Sequence, residues 1–378
     1  MRKLLLSSGL YSFIYAAMAV MVPLYLLDRK LDIAYIGMLL SLGPISFTII
    51  RIFLASVADQ VGTKIIGIIY GLASLVSIAL YAVFPSGAGL AAANLGEGVR
   101  NSGFWAITRT EALSATGNDP GRTFALLSGA RQLADGAGRL AVGLMIVYLA
   151  FEGSFLLLFI VSLLLLGVIL LTQNIVRRGT YERRSIRERI FKPRPATFWY
   201  AAALQLFAWL PYNMMLGFLL PVYLKSSLKM GYLETGGMVA LLSLAIAVST
   251  LVSMRWNFRK STLTLLAIPA VLALLAFPFV GGNILLPLLI ISVGMGCNAI
   301  IGEYVLLDQV YRSKDVSTDI GVLYAPNKIC EFLFLSLGGF VISRFGYAPL
   351  FFILALSVAL FVVFARRLMA KPGNGARI

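Results

Sequence analysis

Histidine is absent from the 378 residues, and cysteine occurs only at Cys297 and Cys330. Both cysteines fall inside apolar stretches without metal-ligand spacing, which argues against a zinc centre, imidazole catalysis and a disulfide framework. A Gly-rich phosphate loop ending in Lys-Ser or Lys-Thr is also missing, which argues against work driven by ATP. Charge is scarce: Asp, Glu, Lys and Arg make up 13% of the chain against 60% hydrophobic residues. A soluble domain carries roughly 25% charged residues, so lipid is the expected solvent. No cofactor and no metal are expected, and the energy for any work has to come from gradients.

What the sequence has instead is apolar length. Crossing ~30 Å of hydrocarbon takes roughly 20 helical residues at ~1.5 Å each. Runs of that size occupy 4–27, 34–57, 65–85, 87–108, 123–150, 154–176, 197–224, 233–254, 262–281, 284–308, 319–343 and 346–366. They are continuously apolar rather than alternating, which predicts helices and not a barrel. The first run follows Met1-Arg2-Lys3 but is too long and aromatic for a signal-peptide core, so it reads as a retained helix. The expected fold class is an all-α membrane protein of twelve transmembrane helices.

Lys and Arg cluster at the termini and in alternate connections, while the opposite side has only Arg29, Lys30, Lys225, Lys229 and Arg344. By the positive-inside rule both termini are expected in the cytoplasm, in a cell (plasma) membrane protein. The net charge of +16 then reflects orientation and attraction to anionic lipid headgroups, not nucleic-acid binding. The longest polar break, Arg177 to Pro195, divides the spans six and six. It reads as a basic linker, either a solvated loop or a short amphipathic helix on the membrane. The expected division is a first bundle at 1–176, a linker at 177–196 and a second bundle at 197–378.

The halves repeat each other. A shift of 198 residues places Pro23-Leu24-Tyr25-Leu26 on Pro221-Val222-Tyr223-Leu224, and Gly96-Glu97-Gly98 on Gly294-Met295-Gly296. Matches at one offset, each at the same point of a six-helix unit, argue for duplication as parallel repeats.

The connection after the second run reads Ala55-Ser56-Val57-Ala58-Asp59-Gln60-Val61-Gly62-Thr63-Lys64. It resembles the Gly-x-x-x-Asp-Arg-x-Gly-Arg-Arg loop of the major facilitator superfamily (MFS), matching at Asp59, Gly62 and Lys64 and departing at Ala55, Gln60 and Thr63. The second-half position under Asp59 is Asn257, so the other copy is degenerate. The resemblance implies two six-helix bundles related by a pseudo-two-fold axis, the MFS fold, and alternating access. It also implies a cytoplasmic gate at Asp59, Gly62, Lys64 and Arg109. In such a gate an Asp near a helix end gains energy in one conformation and loses it in the other. The plainer reading is that Asp59 caps the third helix.

Ionised residues inside the runs are the strongest site signal, because each costs at least ~2.5–3.5 kcal/mol at mid-bilayer unless paired or hydrated. Glu97 and Arg100 share a face of the fourth span, Arg131, Asp135 and Arg139 form a stripe along the fifth, and Lys328 and Glu331 share a face of the eleventh. Arg51 and Glu303 have no such same-helix mate. Either these groups are buried ion pairs that hold helices together, or they line a midplane cavity for substrate and protons. Collectively they are read as the cavity: Glu97, Arg100, Asn101, Arg131, Asp135, Asn298, Glu303, Lys328 and Glu331. In the family resembled, the fourth and tenth helices line that cavity. Arg100 also resembles the arginine of the family's Arg-x-x-Gln-Gly motif, but is followed by Asn101-Ser102-Gly103. Tyr11, Tyr15, Gln205, Trp209, Tyr212 and Asn213, on the first and seventh runs, form a second tier suited to an apolar or amphipathic solute, or else are packing and interfacial aromatics. The family's antiporter run, a proline within glycines in helix 5, lacks its proline here, though Gly129, Gly136, Gly138 and Gly143 are present.

The function these features imply is secondary transport of a small organic solute, coupled to protons through Glu97, Asp135, Glu303 or Glu331. An uncoupled facilitator or lipid translocator is the alternative, and a membrane-embedded lipid-modifying enzyme is a third class that the missing histidine disfavours. The chain is expected to act as a monomer among membrane lipids, and not as an enzyme.

Overall fold

The computed structural model describes residues 2–114, 120–172, 186–255, 260–310 and 316–369. Among them every regular element is helical. In the first half these are α1 (Arg2–Asp28), α2 (Ile33–Val61), α3 (Thr63–Val83), α4 (Gly87–Ser114) and α5 (Pro120–Leu170). In the second half they are α6 (Ile186–Ile190), α7 (Ala196–Met214), α8 (Leu220–Ser226), α9 (Tyr232–Arg255), α10 (Lys260–Ala276), α11 (Leu285–Val310), α12 (Val316–Phe345) and α13 (Ala348–Met369). Helix α5 is two arms: Ala150, at φ 53° and ψ −175°, reverses the chain where two spans were expected to meet. A π-turn, Met215–Leu219, joins α7 and α8 into one traverse.

Eight segments are long and apolar enough to cross a membrane by length and composition. One of them, Gly129–Leu170, runs through the kink of α5 and so takes in residues of both its arms. α4 and α12 fall short because each has a Glu and a basic residue in its interior, and α10 because it is short. The protein is an integral membrane protein with the polarity of a soluble fold reversed. Arg100 and Arg139 are among its largest fully buried side chains. Leu72, Val76, Leu156, Ile160, Leu163, Leu272 and Leu356 are exposed, as a hydrocarbon-facing surface requires.

Packing divides the helices into two bundles. In one, α1 packs on α5, α2 on α4, and α3 on α4 and α5; in the other, α7 packs on α11, α12 and α13, α9 on α11, and α10 on α11 and α13. α2 lies along α12, and the first arm of α5 lies along α9. Since the sequence repeat carries α2 onto α9, these two interfaces exchange under a two-fold rotation. At the end far from the linker the bundles meet closely, and Tyr232 Oη donates to Asp28 Oδ1 at 2.6 Å. Near the linker end, Gly321 of α12 faces Arg51 and Ile52 of α2.

Candidate functional site

Between the bundles lies a cavity of about 130 Å³. One wall is Tyr15, Met18 and Val22 of α1, Gly43 and Phe47 of α2, and Asn94, Glu97 and Asn101 of α4. The facing wall is Asn213, Met214 and Gly217 of the α7–α8 traverse with Lys328, Glu331 and Leu335 of α12. Prolines occur inside four of these elements, Pro23 of α1, Pro44 of α2, Pro211 of α7 and Pro326 of α12, where each removes a backbone donor and so frees an acceptor.

Each charged lining group is paired within its own helix. Arg100 donates through Nη2 to Glu97 Oε2 from a fully buried position behind it, and Lys328 pairs with Glu331 across one turn of α12. Glu97 Oε1 and Arg100 Nε and Nη1 have no hydrogen-bond partner among the described residues. Buried groups of that kind take water or a solute. Aromatic groups order this corner: Tyr11 stacks on Phe104 with 3.5 Å between centroids, donates to Asn101 Oδ1 at 2.6 Å, and lies 5.9 Å from the Arg100 guanidinium. Lys328 Nζ also sits 5.1 Å from the ring of Phe47, so the two bundles touch through a cation and a π face.

The structure thus brings Tyr15, Glu97, Asn101, Asn213, Lys328 and Glu331 onto one cavity, with Arg100 and Tyr11 immediately behind. Others stand elsewhere. Asp135 and Arg139 form an ion pair (Nη2 to Oδ2, 3.0 Å) at the α5–α9 contact, where Ser243 Oγ donates to Asp135 Oδ2 at 3.0 Å. Arg131 stacks 4.8 Å from the Trp105 ring. Gln205 joins α7 to α11 by donating to Gly302 O while accepting from Trp209 Nε1 at 2.8 Å, and Trp209 packs edge-on against Tyr212. Asn298 is buried in α11 with neither amide atom hydrogen-bonded among the described residues, and Glu303, also on α11, is half-buried. Neither is among the lining residues.

At the linker end, Gly62 has φ 95° and makes the break between α2 and α3 that an L-residue would strain. Lys64 follows on α3, whereas the side chains of Asp59 and Arg109, like all of Asn257, lie outside the described residues.

Some lining residues went unread in the sequence. Asn94 stands one turn before Glu97 on the same face, a signal as good as that of Asn101. Phe47, Met214 and Gly217 carry no polar signal, and they reach the cavity through the cross-bundle contact and the π-turn.

Two bundles of membrane helices around a central, partly polar cavity define the architecture of a solute transporter. The chain belongs to the Major Facilitator Superfamily, whose family model matches residues 4–311. A crystal structure of the nucleoside transporter NupG, in a mutant form, superposes with a TM-score of 0.75 at 16% identity, covering 97% of this chain and 98% of that one. A D-xylose-proton symporter superposes with a TM-score of 0.73 at 13% identity over 99% and 98% of the two chains. At these identities the likeness is one of fold. No curated relative matches the chain.

Proposed function

We propose that the protein is a secondary active transporter that moves a small organic solute by alternating access, with protons as the coupling ion. The observation that carries this reading is that Glu97 and the Lys328–Glu331 pair, from opposite bundles, line the same cavity. A chamber walled by two rocking bodies exchanges its contacts when they rock, and a carboxylate in it changes hydration and hence proton affinity. The bundles are assigned to 1–176 and 197–378, joined by the linker 177–196. The membrane is the cell membrane, with both termini and the gate of Asp59, Gly62, Lys64 and Arg109 on the cytoplasmic side.

Uptake into proteoliposomes with and without an imposed pH gradient tests this. The panel begins with nucleosides and D-xylose, the solutes named for the two structural neighbours. Accumulation that follows the proton gradient is the expected result, and equilibration unaffected by it would leave an uncoupled facilitator. That second reading is favoured by one observation: each ionised lining group is already paired within its own helix.

A further inference from the structure

The Asp135–Arg139 pair lies outside the cavity, yet it holds one of the cavity's walls. Leu220 N–H bonds to Met215 O, five residues back, in the π-turn. The next donor in that register would serve Leu216 O, but it belongs to Pro221, which has no N–H. The Leu216 carbonyl is thereby left to a donor from outside the helix. Arg139 Nη1 supplies it at 3.2 Å, from α5 of the opposite bundle. The same guanidinium is fixed by Nε (3.2 Å) and Nη2 (3.0 Å) on Asp135 Oδ2, which also accepts from Ser243 of α9. Arg139 is 1% exposed and Asp135 8%, so these bonds form in a low dielectric. Met214 and Gly217, on either side of the acceptor in the chain, line the cavity.

We infer that Asp135 and Arg139 are positioning residues of the transport cycle: a tie from the first bundle to the proline-freed carbonyl of Leu216 and to Ser243, made when the end far from the linker is closed. The inference rests on the alternating-access reading. The tie joins groups on two bodies, so it cannot survive their separation, and its loss biases the protein toward the state in which the far end is open.

The test uses the full chain in lipid nanodiscs, with Cys297 and Cys330 replaced by Ala and spin labels on cysteines at positions 30 and 229. Lys30 and Lys229 are exposed, in far-end connections of opposite bundles. Arg139→Gln should raise the long-distance population relative to the short one roughly ten-fold or more, as loss of a charged hydrogen bond predicts. Ser243→Ala should raise it roughly two- to ten-fold, and Arg139→Lys, which keeps a cationic donor, should keep most of the short-distance population. A merely structural role would lower the melting temperature and leave the distances of the folded fraction unchanged; unchanged distances in Ser243→Ala overturn the inference even where Arg139→Gln fails to fold. The distances are read without any solute. Proteoliposomes that transport nothing on the panel, with the tie behaving as stated, would therefore sink the transporter reading alone.

Discussion

At the scale of residues, Glu97 is where charge, cavity and an unfilled hydrogen bond coincide. One carboxylate oxygen holds Arg100 and the other has no described protein partner, so protonation would loosen a pair that is already only half satisfied. Glutamine keeps an oxygen for Arg100 while mimicking the protonated acid. Glu97→Gln should therefore abolish gradient-driven accumulation while leaving solute counterflow, both measured in the same proteoliposomes; unchanged accumulation would remove Glu97 from coupling. The sequence made Glu97, Lys328 and Glu331 visible because an ion inside an apolar run needs a physical excuse. Phe47 offered no such signal. Its position is set by α12 lying against α2, and only the assembled bundles reveal that it faces Lys328.

At the scale of elements, the apolar runs predicted where helices lie because hydrocarbon thickness sets their length, and the break at Ala150 falls on the last residue of the expected span 123–150, just before the span 154–176. The π-turn was not legible: Pro211 and Pro221 flank it, but proline inside a membrane helix marks a bend without fixing its register. Glycine contacts between elements were equally hidden, since their meaning lies in what they face. A Cβ on Gly37 of α2 would strike the Leu335 carbonyl of α12, and one on Gly143 of α5 would lie 2.8 Å from Leu233 Cα of α9. Both contacts are at the far end, one in each of the two exchanging interfaces. Gly37→Leu and Gly143→Leu should each prevent that end from closing. A cysteine at the lining position Val22, in the background without Cys297 and Cys330, reports it: a bulky impermeant maleimide added on the far side should label it several-fold faster in either variant. Equal labelling rates would mean that the far end closes by some other contact.

At the scale of the whole molecule, duplication explains what repeats and divergence explains what does not. Tyr25 and Tyr223 are both buried, and Lys30 and Lys229 turn the following connections with φ 58° and 57°. The shift of 198 residues that relates the tyrosines also places Arg100 on Asn298, so the ion pair of α4 has only an amide as its counterpart in α11. The linker has no counterpart, and the structure shows that its described end is not simply solvated. Asp319, in the first turn of α12, accepts from Lys192 Nζ at 2.8 Å and from Arg194 Nη2 at 3.0 Å, and Arg194 also covers the Phe198 ring at 5.1 Å. α6, just before this clamp, touches both α2 and α12. Arg194 and Asp319 are nearly buried, so losing the charge at Asp319 should cost about 1.5–3 kcal/mol locally. When opening is fast relative to cleavage, that cost translates into roughly 10- to 100-fold more of the open form. Trypsin reads it within α6, after Arg187 and Arg189, because Pro193 and Pro195 protect Lys192 and Arg194 from cleavage. Asp319→Asn should accelerate those two cuts by about that factor, whereas Lys192→Ala, which removes a more exposed partner, should change them by less than about five-fold. Cleavage at the wild-type rate in Asp319→Asn would show that the clamp does not hold α6 across the two bundles.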